Sequence, residues 1–260
     1  MRSTGRIMTV QGVFVAATAA ATLALVACAS PPAEPAALSP TRIAEIVAAP
    51  DRTDADRVND MRRKPAEMLA FSRVKAGDTV LELIPGGGYF TRLLSKAVGP
   101  GGQVLAASPS IEGMDKAAKA IAADARYANV KAVAFDAATR TPTPPVDVIF
   151  TAQNYHDLHL TRAKQDVPLL DKLFFAKLKS GGVLVVIDHA ALAGAPVTET
   201  ANTLHRIDPA AARAEIVAAG FVFDGQSDAL SNPADPHTKS ALDPSIRGKT
   251  DQFVYRFRKP

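Results

Sequence analysis

The stretch Thr79 to Thr91 reads Thr-Val-Leu-Glu-Leu-Ile-Pro-Gly-Gly-Gly-Tyr-Phe-Thr, and it constrains the fold of this chain more than any other. Val80, Leu81, Leu83 and Ile84 form a short apolar run, the pattern of a strand buried on both faces of a parallel sheet. Gly86, Gly87 and Gly88 follow, and helical spacing then begins with Phe90, Leu93, Leu94 and Ala97. Strand, glycine turn and helix make the first half of a nucleotide-binding βαβ unit. Glycine lets a ligand approach the backbone where a Cβ would block it. The helix N-terminus behind the turn offers N–H groups with no intrahelical partner. A tight turn with no ligand is the alternative reading of the same residues.

Two details narrow the choice. The spacing Gly86-x-Gly88-x-x-Thr91 lacks the third glycine of a dinucleotide fingerprint, and an acidic residue, Glu82, lies inside the strand. Together they resemble the first motif of class I S-adenosylmethionine (SAM)-dependent methyltransferases. More narrowly, Glu82-Leu-Ile-Pro-Gly-Gly-Gly-Tyr resembles a group of uncharacterised bacterial methyltransferases. The resemblance implies SAM as cofactor, with Glu82, Gly86, Gly87, Gly88 and Tyr89 beside it. Asp60-x-x-Arg63-x-Pro65 recurs in the same group and reads as a structural ion pair or part of a lid.

The front of the chain has a different character. Arg2 and Arg6 precede an Ala-rich apolar run from about Val13 to Ala27, too short for a convincing membrane span. It ends in Leu25-Val26-Ala27-Cys28, which resembles a bacterial lipobox with Cys28 as the lipidated residue. Residues 1–27 therefore read as a signal peptide, and 28–40 as a Pro/Ala-rich tether. The folded domain spans 41–260. The resemblance implies a periplasm-facing lipoprotein of the cell envelope, held to the membrane at Cys28. An ordinary signal peptide, or an uncleaved anchor, with an incidental cysteine is the alternative. Cys28 is the only cysteine, so no internal disulfide exists. The formal net charge is +4, and Arg2 and Arg6 carry two of those charges, which leaves too little for a nucleic-acid partner.

Strands and helices alternate through the rest of the domain. Gln103 to Ala107 is the second strand, Val130 to Phe135 the third, Val146 to Phe150 the fourth and Val183 to Ile187 the fifth. A helical segment over Gly113 to Asp124 turns Met114, Ala118 and Ile121 inward, and another runs through Leu169 to Leu178. Leu178-Lys179-Ser180-Gly181-Gly182 reads as a helix stop. A helix over Pro209 to Ala219 leads into a sixth strand from Gly220-Phe221. Ser231 to Gly248 is a polar, Pro-rich excursion. Asp251 to Arg258 alternates apolar and polar residues, as an antiparallel edge strand with one exposed side does. The alternation fits a parallel sheet, and with the resemblance it implies a Rossmann-like α/β class I methyltransferase fold, a seven-stranded, mostly parallel sheet with an antiparallel edge strand.

Ligands of open α/β sheets bind outside the carboxyl ends of the strands. Asn154, Tyr155, His156 and Asp157 leave the fourth strand there, and Asp188-His189 leaves the fifth. The methyltransferase resemblance implies that Asn154, Tyr155, His156 and His189 face the methyl acceptor, with His156 suited to take a proton from it. Asp157 orients that histidine or binds substrate. His205 and Arg206 either fold over the cleft or lead into the next helix.

Two positions depart from the methyltransferase pattern. Ser108 stands where an acid usually holds the ribose hydroxyls, and Ile84 stands where a further glycine is usual. Asp136, at the end of the third strand, resembles the residue that contacts adenine in the family, and reads equally as a turn residue before the polar loop Ala137 to Pro145. The reading is a SAM-dependent methyltransferase acting on a small molecule. Its rivals are an inactive protein of the same fold, with another ligand or an envelope partner, and a metal site from His156-Asp157-x-His159 with His189. No metal is assigned on sequence grounds, because consecutive Asp and His side chains rarely converge on one ion.

Overall fold

The computed structural model describes residues 1–2, 37–140 and 144–260. Cys28, the expected signal peptide from residue 3 onward and the expected tether as far as residue 36 lie outside the described residues. Three short helices open the described domain. They are α1 (Pro40–Ala48), α2 (Asp54–Arg63) and α3 (Pro65–Ser72). Ser39 and Thr53 cap the first two, each accepting from the N–H three residues on, at 3.1 Å in both cases. Lys64 ends α2 in the left-handed region at φ 44°, which frees Pro65 to start α3.

The sheet has seven strands: β1 (Thr79–Leu83), β2 (Gln103–Ser108), β3 (Val130–Ala134), β4 (Val146–Ala152), β5 (Leu178–His189), β6 (Val222–Ser227) and β7 (Gln252–Arg258). Their order is β3-β2-β1-β4-β5-β7-β6, with β7 antiparallel to both of its neighbours. The chain runs outward from β1 to β3, then returns to place β4 on the other side of β1. The carboxyl ends of β1 and β4 therefore flank the switch point where such sheets bind ligands.

Alternation along each strand divides the core between the two faces. Val80, Val104, Val148, Phe150, Val185 and Val254 pack on one side with α1, α3, α4 (Tyr89–Val98) and α5 (Lys116–Ala122). Leu81, Leu83, Ile149, Val186 and Phe257 pack on the other with α7 (Val167–Lys177) and α9 (Pro209–Ala218). Asp166 and Asp208 cap those two helices through the N–H groups of Leu169 and Ala210.

Several boundaries differ from expectation. The third strand stops at Ala134, and Phe135–Arg140 forms a further helix, α6. Asp136 thus lies on its first turn and pairs with Arg140 one turn on, at 3.1 Å. Met114 precedes α5 and is exposed, while Ala118 and Ile121 are buried as expected. Leu178 to Gly182 does not merely stop α7: the chain turns extended at Leu178 and enters β5 directly, through an irregularity opposite Val146 and Val148. Helix α8 (Val197–Leu204) has no counterpart in the sequence reading, because Pro196 gives it no side-chain cap and it carries few apolar residues. β7 lies one place in from the edge, and its polar residues are not exposed. Arg256 is buried, with its guanidinium 2.6 Å from an Asp224 carboxylate oxygen and 2.6 Å from the Phe71 carbonyl.

Candidate active site

The glycine turn brings its three glycines into different roles. Gly86 and Gly88 have φ of 55° and 77°, the left-handed region that favours glycine. A Cβ on Gly86 or Gly87 would meet nothing within 4 Å, so the space above both is open. A Cβ on Gly88 would lie 2.1 Å from Ile121 Cδ1, so this glycine serves the contact between α4 and α5. Glu82 is fully buried in β1, and burial raises its pKa to about 7 against the pull of Thr91, Arg63 and Arg92. Tyr89 turns away toward the first helices, where its hydroxyl donates to Asp60 at 2.7 Å.

Asp60 takes Arg52 as its ion-pair partner, through two contacts of 2.8 and 2.6 Å. The expected pair with Arg63 does not form. The Arg63 guanidinium instead stacks over the rings of Tyr89 and Phe90 and donates to Gln153 Oε1 at 3.0 Å. Burial lowers its pKa.

Two cavities open at the carboxyl end of the sheet. One, of about 430 Å³, is lined by Ile84, Ile111, Met114, Phe135, Asp136 and Leu158 among others. The other, of about 560 Å³, is polar and basic, with Arg62, Arg63, Arg162, Arg247 and three histidines on its walls. Asp157 and Arg162 line both, so the cavities adjoin. Ser108, at the end of β2, is buried, and its hydroxyl has no hydrogen-bond partner among the described residues.

His156 is the best-positioned side chain of the basic cavity. Its backbone N–H donates to Asp188 Oδ2 at 2.6 Å, and its Nδ1 lies 2.8 Å from Asp188 Oδ1. Parallel pairing of β4 with β5, in the register Ala152 to Ile187, makes this contact possible. Burial disfavours the imidazolium, but the carboxylates of Asp188 and Asp157 outweigh it and the His156 pKa is raised. Asp188 is held low by the same pair although burial opposes this. Burial raises Asp157. His189 faces Thr250 Oγ1 at 2.7 Å, and burial drives its pKa down to about 4.

The other sequence-derived candidates do not join this cavity. Asn154 donates its amide to the carbonyls of Ile84 at 2.9 Å and Ala152 at 2.7 Å, and so ties the exits of β1 and β4 together. Tyr155 is buried on the opposite side, with its hydroxyl 2.9 Å from Asp171 Oδ2 and 3.3 Å from Glu215 Oε2. His159 lies 3.1 Å from Glu215 in the same cluster. His205 and Arg162, by contrast, stand on the cavity wall. His205 arrives there from the C-terminus of α8, a helix without a clear sequence signal, and Arg162 follows the polar cluster of β4.

Three residues around the cavities hold left-handed backbone without being glycine: Ile84 at φ 52°, Gln153 at φ 64° and His205 at φ 51°. A β-branched residue there is strained by about 1–2 kcal/mol. Strain of this kind collects at ligand sites, where the surrounding structure holds it in place.

The comparisons agree with this geometry. The family model for protein-L-isoaspartate(D-aspartate) O-methyltransferase (PCMT) matches residues 60–193, just over half of the chain. A SAM-dependent methyltransferase from Aquifex aeolicus superposes with a TM-score of 0.53 at 20% identity, covering 86% of this chain and 100% of its own. The CcbJ methyltransferase from Streptomyces caelestis gives 0.54 at 18% identity, over 81% and 100%. A methyltransferase structure from Bacillus halodurans gives 0.52 at 16%, over 75% and 98%. At these identities the likeness establishes the fold. No curated protein matches the chain. By the span of the family model, the chain belongs to the protein-L-isoaspartate(D-aspartate) O-methyltransferase (PCMT) family.

Proposed function

We propose that the chain is a SAM-dependent methyltransferase whose acceptor carries an anionic oxygen, and that it works in the cell envelope, tethered through a lipid on Cys28. The observation that carries the reading is the pair of adjoining cavities at the switch point, one largely apolar and one basic. The residues present suit the cofactor. Open space lies above Gly86 and Gly87, the neighbouring cavity has apolar walls for a base, Asp136 of α6 stands on the wall of that cavity, and the buried Ser108 hydroxyl lies at the end of β2. Ser108 offers one neutral oxygen where a carboxylate offers two charged ones, so the ribose is held more weakly than in a typical member.

Bound there, SAM supplies an electrophilic methyl group. The chain's own task is to hold the acceptor in line and keep water out. Arg63, Arg162 and Arg247 suit a carboxylate, in keeping with the O-methyl transfer named for the family. An ionised carboxylate needs no base. A hydroxyl acceptor would instead give its proton to His156, with Asp188 holding the ring.

The test is transfer of a labelled methyl group from SAM to a panel of small carboxylic acids and isoaspartyl peptides, using the full chain. Base-labile label, as expected of a methyl ester, supports the reading. Arg63→Gln should raise KM for the acceptor by roughly tenfold or more, as loss of a charged hydrogen bond does. Transfer only to neutral amines, with KM unchanged in that variant, would overturn it.

A further inference from the structure

We propose that His156, Asp157 and His205 form a site for one divalent transition-metal ion on the wall of the basic cavity. Each offers one ligand atom, and these atoms lie within 4.8 Å of one another. His156 Nε2 is 3.5 Å from Asp157 Oδ1, and His205 Nδ1 is 3.8 Å from that same oxygen. Both separations exceed normal hydrogen-bond length. They approach the spacing of about 3.4 Å between ligands that sit about 2.1 Å from a tetrahedral zinc ion.

The surroundings of His156 are those of a metal ligand. Asp188 is completely buried, and its carboxylate lies 2.8 Å from Nδ1 of that ring. A carboxylate in this position fixes the tautomer and leaves the Nε2 lone pair directed at the ion. The third ligand is the residue in strained backbone, His205 at φ 51°, which ends α8 facing the cavity. Two imidazoles and one carboxylate leave a coordination position open to the cavity, as in catalytic zinc and non-haem iron(II) sites. The set differs from the one the sequence suggests. His159 Nε2 lies beside Glu215 at 3.1 Å, and His189 faces Thr250.

The inference stands apart from methyl transfer, because it is read from metal binding alone. Zinc, and cobalt(II) as its coloured substitute, are titrated into the metal-free full chain. One ion per chain and a visible cobalt absorption band are expected. Asp157→Asn and His205→Asn should each weaken binding by about 100-fold or more. Asparagine tolerates the left-handed backbone at position 205, so that variant keeps its fold. Asp188→Asn should weaken binding roughly 10–100-fold through the ring it orients. His159→Gln should leave affinity unchanged. Circular dichroism confirms that each variant is folded. No binding at millimolar metal, or equal affinity in Asp157→Asn, His205→Asn and the parent chain, overturns the proposal.

Discussion

Glu82 is a carboxyl group whose ionisation is opposed by its burial. It sits in β1 between Ala106 of β2 and Phe150 of β4, on a face packed with apolar side chains. Burial there raises its pKa from 4.5 to about 7. At about 1.4 kcal/mol per tenfold change in proton affinity, ionising it in the folded chain costs on the order of 3 kcal/mol. The folded state binds more protons than the unfolded state between those two values, so stability falls as pH rises through that window. The cost is absent below about pH 4.5 and complete above about pH 7. Glu82→Gln removes it. Urea unfolding of the two full-length chains should give a stability difference that moves in the variant's favour by about 3 kcal/mol from acid to mildly alkaline pH. Asp171, also raised to about 7 by burial, titrates in both chains and cancels in the difference. A difference that stays flat across this range would refute the account of Glu82 as a carboxyl neutralised by burial.

Three other outcomes follow from the packing. Asp235→Asn leaves the Arg206 guanidinium buried without its carboxylate, which now lies 2.8 Å away with both side chains fully buried. It should cost about 3–5 kcal/mol, seen as a lower Tm. Gly88→Ala should cost roughly 1–3 kcal/mol through its backbone and its clash with Ile121, and Ile121→Val should recover part of that in the double variant. Tyr155→Phe removes the hydroxyl between Asp171 and Glu215. It should lower stability by about 1–2 kcal/mol while SAM affinity, measured by calorimetry, stays the same.

The alternating body of the fold was legible because short, mostly apolar runs, such as Val183–Ile187 and the β1 run broken only by Glu82, have few other homes than a parallel sheet. β7 misled about exposure because alternation normally means water on one side. Here Asp224 and the Phe71 carbonyl satisfy Arg256 instead, and only the folded chain brings them together. The third strand looked longer than it is because Phe135 continues its apolar run, while the Asp136–Arg140 pair that marks helix α6 is a weaker signal. At the site, the sequence put His156 at a strand exit, and it lies there, just after β4 and on the wall of the basic cavity. The sequence did not foresee Asp188 as the partner of that ring, since the pairing depends on β4–β5 register across 32 residues. Asp60–Arg52 and the placement of His205 are likewise products of tertiary packing.

The central claim is that the glycine turn holds SAM, and calorimetry on the full chain tests it most directly. SAM and S-adenosylhomocysteine should each bind one per chain. Gly87→Leu should abolish binding without unfolding the protein, because Gly87 has ordinary backbone and an added Cβ meets nothing in the chain itself. Saturable binding lost in that folded variant is the predicted result. No heat at millimolar ligand, or equal affinity in Gly87→Leu, would contradict the account.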